Sequence, residues 1–217
     1  AQLRLGGTTA GGGMPLGNTL SPYPDSTITI RDGSQFLASP GGGAARAMVG
    51  FYGAATVNIL TNSSWSITDP TCNTFVGNYR VGGTAPYNGT LLVDANSTTS
   101  LNGLEISLTR PGIVWGNGKA TVQGGSTLIL SNGWMLVGAP NGNVYAGNTN
   151  TFVLNGATIR IGKPGVNGTI TNAGILRATG TITGQGEGNF TLRNVFVSTF
   201  YGYPAYVFTN ASIFQVG

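Results

Sequence analysis

The side chains able to perform acid–base, nucleophilic or metal chemistry are few. The chain of 217 residues has no histidine and a single cysteine, Cys72. Hydrolysis of glycosidic bonds needs two carboxyl groups about 5–9.5 Å apart, and only Asp94 and Glu105 are spaced to meet on adjacent predicted strands. The acidic residues are Asp25, Asp32, Asp69, Asp94, Glu105 and Glu187.

None of these residues stands in a catalytic or metal-binding motif. Asp32 and Asp69 directly precede Gly33 and Pro70, which is typical of turns. Asp25 is seven positions before Asp32, a spacing that matches no EF-hand calcium loop. Without histidine the single thiol lacks its usual activating base, and "GQGEG" (184–188) lacks the strand-to-helix setting of a phosphate loop. The sequence therefore predicts no enzymatic activity, no cofactor and no metal.

The composition indicates a folded protein with a weakly charged surface. Only 7% of residues are charged, against roughly 25% in an average soluble domain. The 40% of hydrophobic residues argues against disorder, which combines low hydrophobicity with high net charge. Weakly charged surfaces repel their own copies poorly, so we expect self-association. A monomer kept soluble by hydroxyl and amide groups is the alternative.

Three features bear on partners and location. The ten basic residues are spread along the whole chain, whereas nucleic-acid binding needs them clustered. No apolar run reaches the roughly 18 residues of a membrane-spanning helix. The first residue is Ala1, as after removal of a signal peptide, and the composition is rich in Thr, Asn and Gly. We therefore predict an extracellular protein, secreted or at the cell surface, without nucleic-acid binding or membrane insertion.

The periodicity of the chain predicts strands almost everywhere. Glycine, asparagine and β-branched residues interrupt every window long enough for a helix, except for a short helical turn predicted at 44–49. Eight segments each contain a short strand, a corner and another short strand: 26–38, 55–68, 90–108, 120–137, 151–162, 168–180, 189–199 and 205–216. The predicted corners are Asp32, Asn62, Asn96, Gly124, Asn155, Asn172, Asn194 and Asn210.

Two all-β architectures produce such a pattern. In a parallel β-solenoid each segment is one coil, and Asn or Gly adopts the left-handed conformation at the corner. In an antiparallel β-sandwich or jelly roll, Asn155-Gly156 would be the type I′ turn of a hairpin. The other corners read Asn-Ala, Asn-Val and Asn-Ser, which suit that turn badly because its second residue also needs a positive φ. The sequence therefore favours the parallel β-solenoid, or β-helix, with irregular loops.

The stretch 120–197 contains "VQGGSTLILSNGWMLV", "FVLNGATIRIG" and "GTITNAGILRATGTITG". It resembles the β-helical passenger repeats of bacterial autotransporters and related secreted surface adhesins. Residues 1–50 and 70–90 depart from this pattern. The resemblance implies secretion, a right-handed parallel β-helix and surface exposure, and it carries over no functional residues.

The N-terminus predicts a separate element. Residues 1–17 contain a short alternating strand and a Gly-rich tether of the kind that forms flexible linkers, and 18–217 form a single β-solenoid domain. The ends of a stacked sheet present unpaired N–H and C=O groups, and no polar cap follows the final strand. We expect the tethered strand Gln2, Leu3, Arg4 and Leu5 to add to a neighbouring copy, building a filament head to tail. The alternative is that this strand pairs within its own chain or is disordered.

The sequence therefore predicts a structural protein that assembles with identical subunits into a surface filament, layer or appendage through strand pairing. The alternative is a glycan-binding adhesin or a phage tailspike-like receptor-binding domain, or a subunit that decorates a filament built by another protein. Tyr201 and Tyr203 in "FYGYP" would then contact a glycan or a subunit interface. Sequons that could carry glycans begin at Asn62, Asn88, Asn96, Asn167, Asn189 and Asn210.

Overall fold

A computed structural model describes thirteen segments of the chain, and all regular structure in them is β-strand. The described segments are 2–5, 19–20, 26–38, 46–50, 54–77, 88–106, 117–138, 150–163, 168–172, 175–184, 190–194, 205–208 and 212–214. The strands are β1 (Gln2–Leu5), β2 (Thr19–Leu20), β3 (Ser26–Ile30), β4 (Gln35–Ala38), β5 (Arg46–Val49), β6 (Ala55–Ile59), β7 (Ser64–Ile67), β8 (Asn73–Val76), β9 (Gly89–Val93), β10 (Thr98–Ile106), β11 (Gly118–Gln123), β12 (Thr127–Val137), β13 (Thr151–Asn155), β14 (Thr158–Ile161), β15 (Gly168–Asn172), β16 (Ile175–Ala178), β17 (Thr181–Gly184), β18 (Phe190–Asn194), β19 (Ala205–Phe208) and β20 (Ser212–Phe214).

These strands pair in parallel within two sheets. The seven-stranded sheet, called column 1 below, has the order β3, β6, β9, β11, β13, β16, β19. The thirteen-stranded sheet contains two further columns that share the long strands β10 and β12. Column 2 runs β1, β4, β7, β10, β12, β14, β17, β20, and column 3 runs β2, β5, β8, β10, β12, β15, β18.

The chain visits the columns in the fixed order 1, 2, 3, and one such visit is called a layer. The first complete layer is β3 to β5, and the sixth is β16 to β18. Paired residues of successive layers are 22 to 35 positions apart, as for Gly168 with Phe190 and Trp134 with Thr169. The stacking is consistent with a solenoid-like arrangement, and the unequal repeat length means that loops of different length leave the layers.

The core lies between the columns. Side chains of a strand alternate between its two faces, and β6 and β9 accordingly alternate between buried and half-buried residues. The inward side chains of the three columns form one continuous apolar cluster, to which Val57, Trp65 and Leu104 each contribute from a different column. Burial of this cluster, at roughly 25 cal/mol per Å² of apolar surface, is the term that holds the layers together.

The structure corrects two expectations. Residues Arg46–Val49, predicted as a helical turn, form β5, where Ala47, Met48 and Val49 are buried; pairing with β8 overrides the local helix propensity. The antiparallel alternative is wrong for the described strands, because every described pairing is parallel. Asn155-Gly156 joins β13 to β14 in the other sheet, so it is not a hairpin turn.

Candidate assembly edges and the corner between columns 1 and 2

The corner between columns 1 and 2 is built from left-handed backbone. Each described corner of the first four layers has two consecutive residues with φ between 54° and 74°. Asparagine, aspartate and glycine adopt this conformation most readily. Glycine or asparagine fills the second position of all four pairs, whereas the first position also takes Thr61 and Ala95. The pairs are Asp32-Gly33, Thr61-Asn62, Ala95-Asn96 and Gly124-Gly125, and Gly156 follows with φ 58°.

Predicted corners were therefore right at Asp32, Asn62, Asn96 and Gly124. Asn155 is the last residue of β13, directly before Gly156. Asn172 and Asn194 were wrong: they end β15 and β18 in column 3, where they pair with each other. Asn210 lies outside the described residues.

A row of serines follows the corner, and the sequence analysis missed it. The backbone N–H of Ser63 donates to Ser97 Oγ at 3.2 Å, and that of Ser97 donates to Ser126 Oγ at 3.0 Å. These three serines are at most 2% exposed, so their backbone donors have no access to water. The N–H of Ser34 donates to Ser63 Oγ at 3.1 Å in the first layer. The signal was present in the sequence, since each serine directly follows its left-handed pair.

Backbone conformation explains two of the asparagines that begin predicted glycosylation sequons. Asn62 and Asn96 are exposed at successive layers of the corner, at positions that other layers fill with Gly33 and Gly125, so backbone conformation alone accounts for them. Asn88 is also exposed, and its Oδ1 accepts a hydrogen bond from the backbone N–H of Asn117 at 3.1 Å. The asparagines of the remaining sequons, Asn167, Asn189 and Asn210, lie outside the described residues.

The connection between columns 2 and 3 in the second layer holds the single cysteine. The side chain of Asn102, 5% exposed, donates to the carbonyl oxygens of Asp69 and Cys72, the latter at 2.8 Å. Ser131 Oγ donates to Asn102 Oδ1 at 3.0 Å and completes this buried network. Burial, followed by the nearby Asp69 carboxylate, raises the pKa of the Cys72 thiol to about 12, although a backbone hydrogen bond from Ala47 opposes the shift. The thiol is neutral and enclosed.

Asp94 and Glu105 do not lie on neighbouring strands. Asp94 follows β9 in column 1, where its Oδ2 accepts a hydrogen bond from Gln123 Nε2 at 2.8 Å. Glu105 lies in β10, in the other sheet, and is 8% exposed. In the part of the chain that the structure describes, no three His, Cys, Asp or Glu side chains are grouped as metal ligands.

The N-terminal edge of the stack is uneven. β1 pairs in parallel with β4 of its own chain, from Gln2 with Gln35 to Leu5 with Ala38. β2 pairs with β5 through Thr19 and Leu20. Columns 2 and 3 therefore each carry one strand beyond the first complete layer, whereas column 1 begins at β3. Among the described strands, none pairs with the outer edge of β3.

The side chains beneath this edge are incompletely covered. Ile28 of β3 is only partly buried, while Val57 in the same row of the next layer is 3% exposed. A cavity of about 20 Å³ lies beside these residues and is also lined by Phe36, Ala47, Met48, Val49 and Trp65. Its walls are almost entirely apolar, so it offers few partners to a water molecule. The buried Trp65 Nε1 has no hydrogen-bond partner among the described residues.

The C-terminal edge ends with β18, β19 and β20. β19 continues column 1 by pairing with β16, and β20 continues column 2 by pairing with β17. β18 is the last described strand of column 3, paired with β15. Neither β19 nor β20 contains a charged residue, and charged residues are a common protection of exposed edges. Tyr201 and Tyr203 lie outside the described residues.

Comparison with known proteins gives no identity. No protein-family model matches the chain, and neither a curated protein nor a solved structure matches it significantly. Within the described segments there is no helix with the length and apolar character needed to span a membrane.

Proposed function

We propose that the chain is an extracellular structural protein whose copies assemble by β-strand pairing into a surface filament, layer or appendage. The observation that carries this proposal is that β3, the first strand of column 1, has no described strand on its outer side. No described strand pairs with the outer edge of β3, which lies beside a partly buried Ile28 and an apolar cavity. An exposed sheet edge is a template for pairing with another chain, and a strand from a second copy would cover this one.

The proposed fold is a parallel β-solenoid in which columns 1, 2 and 3 form three sides around one core. The fixed order of the columns, the left-handed corner and the continuous apolar cluster support it. In such a stack all lateral edges are used, and only the two ends remain open. Assembly through the ends then gives a head-to-tail filament, because the contact joins two different surfaces and does not close.

The N-terminal strand Gln2–Leu5 lies at the end through which the copies join, where it pairs with β4 of its own chain. The partners are identical subunits, and no cofactor is needed. The extracellular location rests on the composition and on the resemblance to secreted surface proteins.

Electron microscopy of the native protein over a range of concentrations, with light-scattering mass, tests the proposal. We expect filaments or sheets whose axial repeat is a multiple of the strand spacing, about 4.8 Å. A stable monomer at all concentrations would contradict self-assembly. The glycan-binding alternative would then be tested on glycan arrays, with Tyr201→Ala as the variant.

A further inference from the structure

We infer that β1 is an exchangeable cap: it occupies the edge of β4 that the β20 strand of a neighbouring copy takes during assembly. The inference rests on the proposed head-to-tail assembly and concerns how that assembly is controlled. Its basis is the number of described strands in each column. Column 1 has seven strands, column 3 has seven, and column 2 has eight when β1 is included.

The count matters because stacked copies must advance by the same distance along every column. Neighbouring strands are about 4.8 Å apart, so a translation of seven strands brings β19 onto β3 and β18 onto β2. The same translation places β20 at the position that β1 holds on β4. While β1 stays paired with β4, the facing edges of two copies in columns 1 and 3 lie about 9.6 Å apart. This distance is too long for N–H···O hydrogen bonds of about 3 Å.

The register allows the replacement. In column 2, Gln2, Gln35, Thr181 and Ser212 belong to one row of paired positions. β20 therefore continues the column with the same alternation as β1. The exchange gives up the pairing of β1 with β4 and gains pairing in three columns.

The connection that follows β1 permits its release. Thirteen residues, 6–18, separate β1 from β2, while the connections from column 2 to column 3 in the first two layers have seven residues (39–45) and five (68–72). Glycines occupy six of the thirteen positions: Gly6, Gly7, Gly11, Gly12, Gly13 and Gly17. A chain of this length spans up to roughly 40 Å, many times one strand spacing. β1 can leave β4 without moving β2.

A reversible disulfide tests the cap in the full-length chain. Arg4 and Leu37 are register partners, and adjacent strands bring Cα atoms within the 4.4–6.8 Å span of a disulfide. The double variant Arg4→Cys/Leu37→Cys should lose assembly at least about tenfold when oxidised and regain it with reductant. The matched control, Leu37→Cys/Ser66→Cys, joins β4 to β7 at register partners and should assemble like the wild type in both states. Cys72 is buried and should not interfere.

A variant that weakens the pairing of β1 with β4 should have the opposite effect on assembly. Leu3 pairs in register with the buried Phe36. Leu3→Asp should therefore weaken the pairing of β1 with β4 and lower the protein concentration at which filaments appear. Normal assembly of the oxidised Arg4→Cys/Leu37→Cys variant would overturn the cap. Loss of assembly in Leu3→Asp would also overturn it, and would instead make β1 a required bridging strand while leaving the proposed function intact. Absence of filaments in the wild type and all variants would refute the proposed function itself.

Discussion

The first layer and the central layers share the same rows of residues but differ in what covers them. Along the row that begins with Ile28, exposure falls from partial at Ile28 to 3% at Val57, 1% at Leu91 and 0% at Phe152. The residue type hardly changes, so the neighbouring layer decides the burial. The first layer thus resembles a central layer that has no described neighbour in column 1, and the following predictions test this difference.

The largest expected difference concerns glycines. An added Cβ at Gly89 would lie 2.1 Å from the backbone N of Gly77 and the backbone O of Val49. Gly89→Ala should therefore lose more than about 4 kcal/mol of unfolding free energy. At Gly33 an added Cβ meets nothing within 4 Å, and the φ of 71° alone makes Gly33→Ala cost about 1–2 kcal/mol. Urea unfolding followed by circular dichroism measures both; equal losses would contradict the tight interlayer contact.

Replacing an isoleucine of the core with alanine should have the next largest effect on stability. Ile59 is 0% exposed, so Ile59→Ala should cost about 3 kcal/mol. Ile28→Ala should cost about 2 kcal/mol in the monomer, since Ile28 is only partly buried. If a second copy covers β3, the cost of Ile28→Ala should rise in the assembled protein. An unchanged cost on assembly would place the contact elsewhere.

The serine row should show a smaller difference of the same kind. Ser97→Ala removes the acceptor of the buried Ser63 N–H, and an unsatisfied buried donor costs about 2 kcal/mol. Ser63→Ala should cost about 1 kcal/mol, because the N–H of Ser34 also donates to Arg31 O at 3.2 Å. Thermal unfolding of the two variants at one protein concentration makes the comparison, and a larger loss in Ser63→Ala would reverse the assignment.

The last effect is the pH dependence of stability set by Cys72. Its folded pKa of about 12 lies above the unfolded value of about 8.5, so the folded state keeps a proton that the unfolded state loses. Stability is constant below the unfolded pKa and falls by about 1.4 kcal/mol per pH unit above it. Between pH 7.5 and 9.5, Cys72→Ala should lose about 1.4 kcal/mol less than the wild type. Parallel curves for the two proteins would show that the thiol ionises freely in the native state.

Local chemistry explains which parts of this fold were predictable. The corner could be found because left-handed backbone restricts Gly33, Asn62, Asn96 and Gly125 to a few residue types. Parallel stacking followed from the poor fit of these corners to hairpin turns. The same rule failed at Asn172 and Asn194, because asparagine is also tolerated at the end of a strand.

Long-range pairing was beyond prediction. β10 and β12 run from column 2 into column 3 through Asn102-Gly103 and Asn132-Gly133. Because each remains one continuous strand, these pairs were not recognised as a change of column. For the candidate site, the sequence indicated that Gln2–Leu5 forms a strand, but its pairing with β4 depends on residues 33 positions away. Residues Arg46–Val49 likewise have ordinary helix propensity and become a strand only because β8 lies beside them.

The regular spacing of paired residues has a consequence for how the chain folds. Every described strand pair joins residues no more than 35 positions apart, and β-proteins with such near partners avoid the long loop closures that slow folding. A newly formed layer presents a ready edge to the next stretch of chain, so order can spread from any starting layer toward both termini. In the proposed assembly, growth of a filament repeats this folding step, the docking of a strand on an open edge, across the boundary between chains.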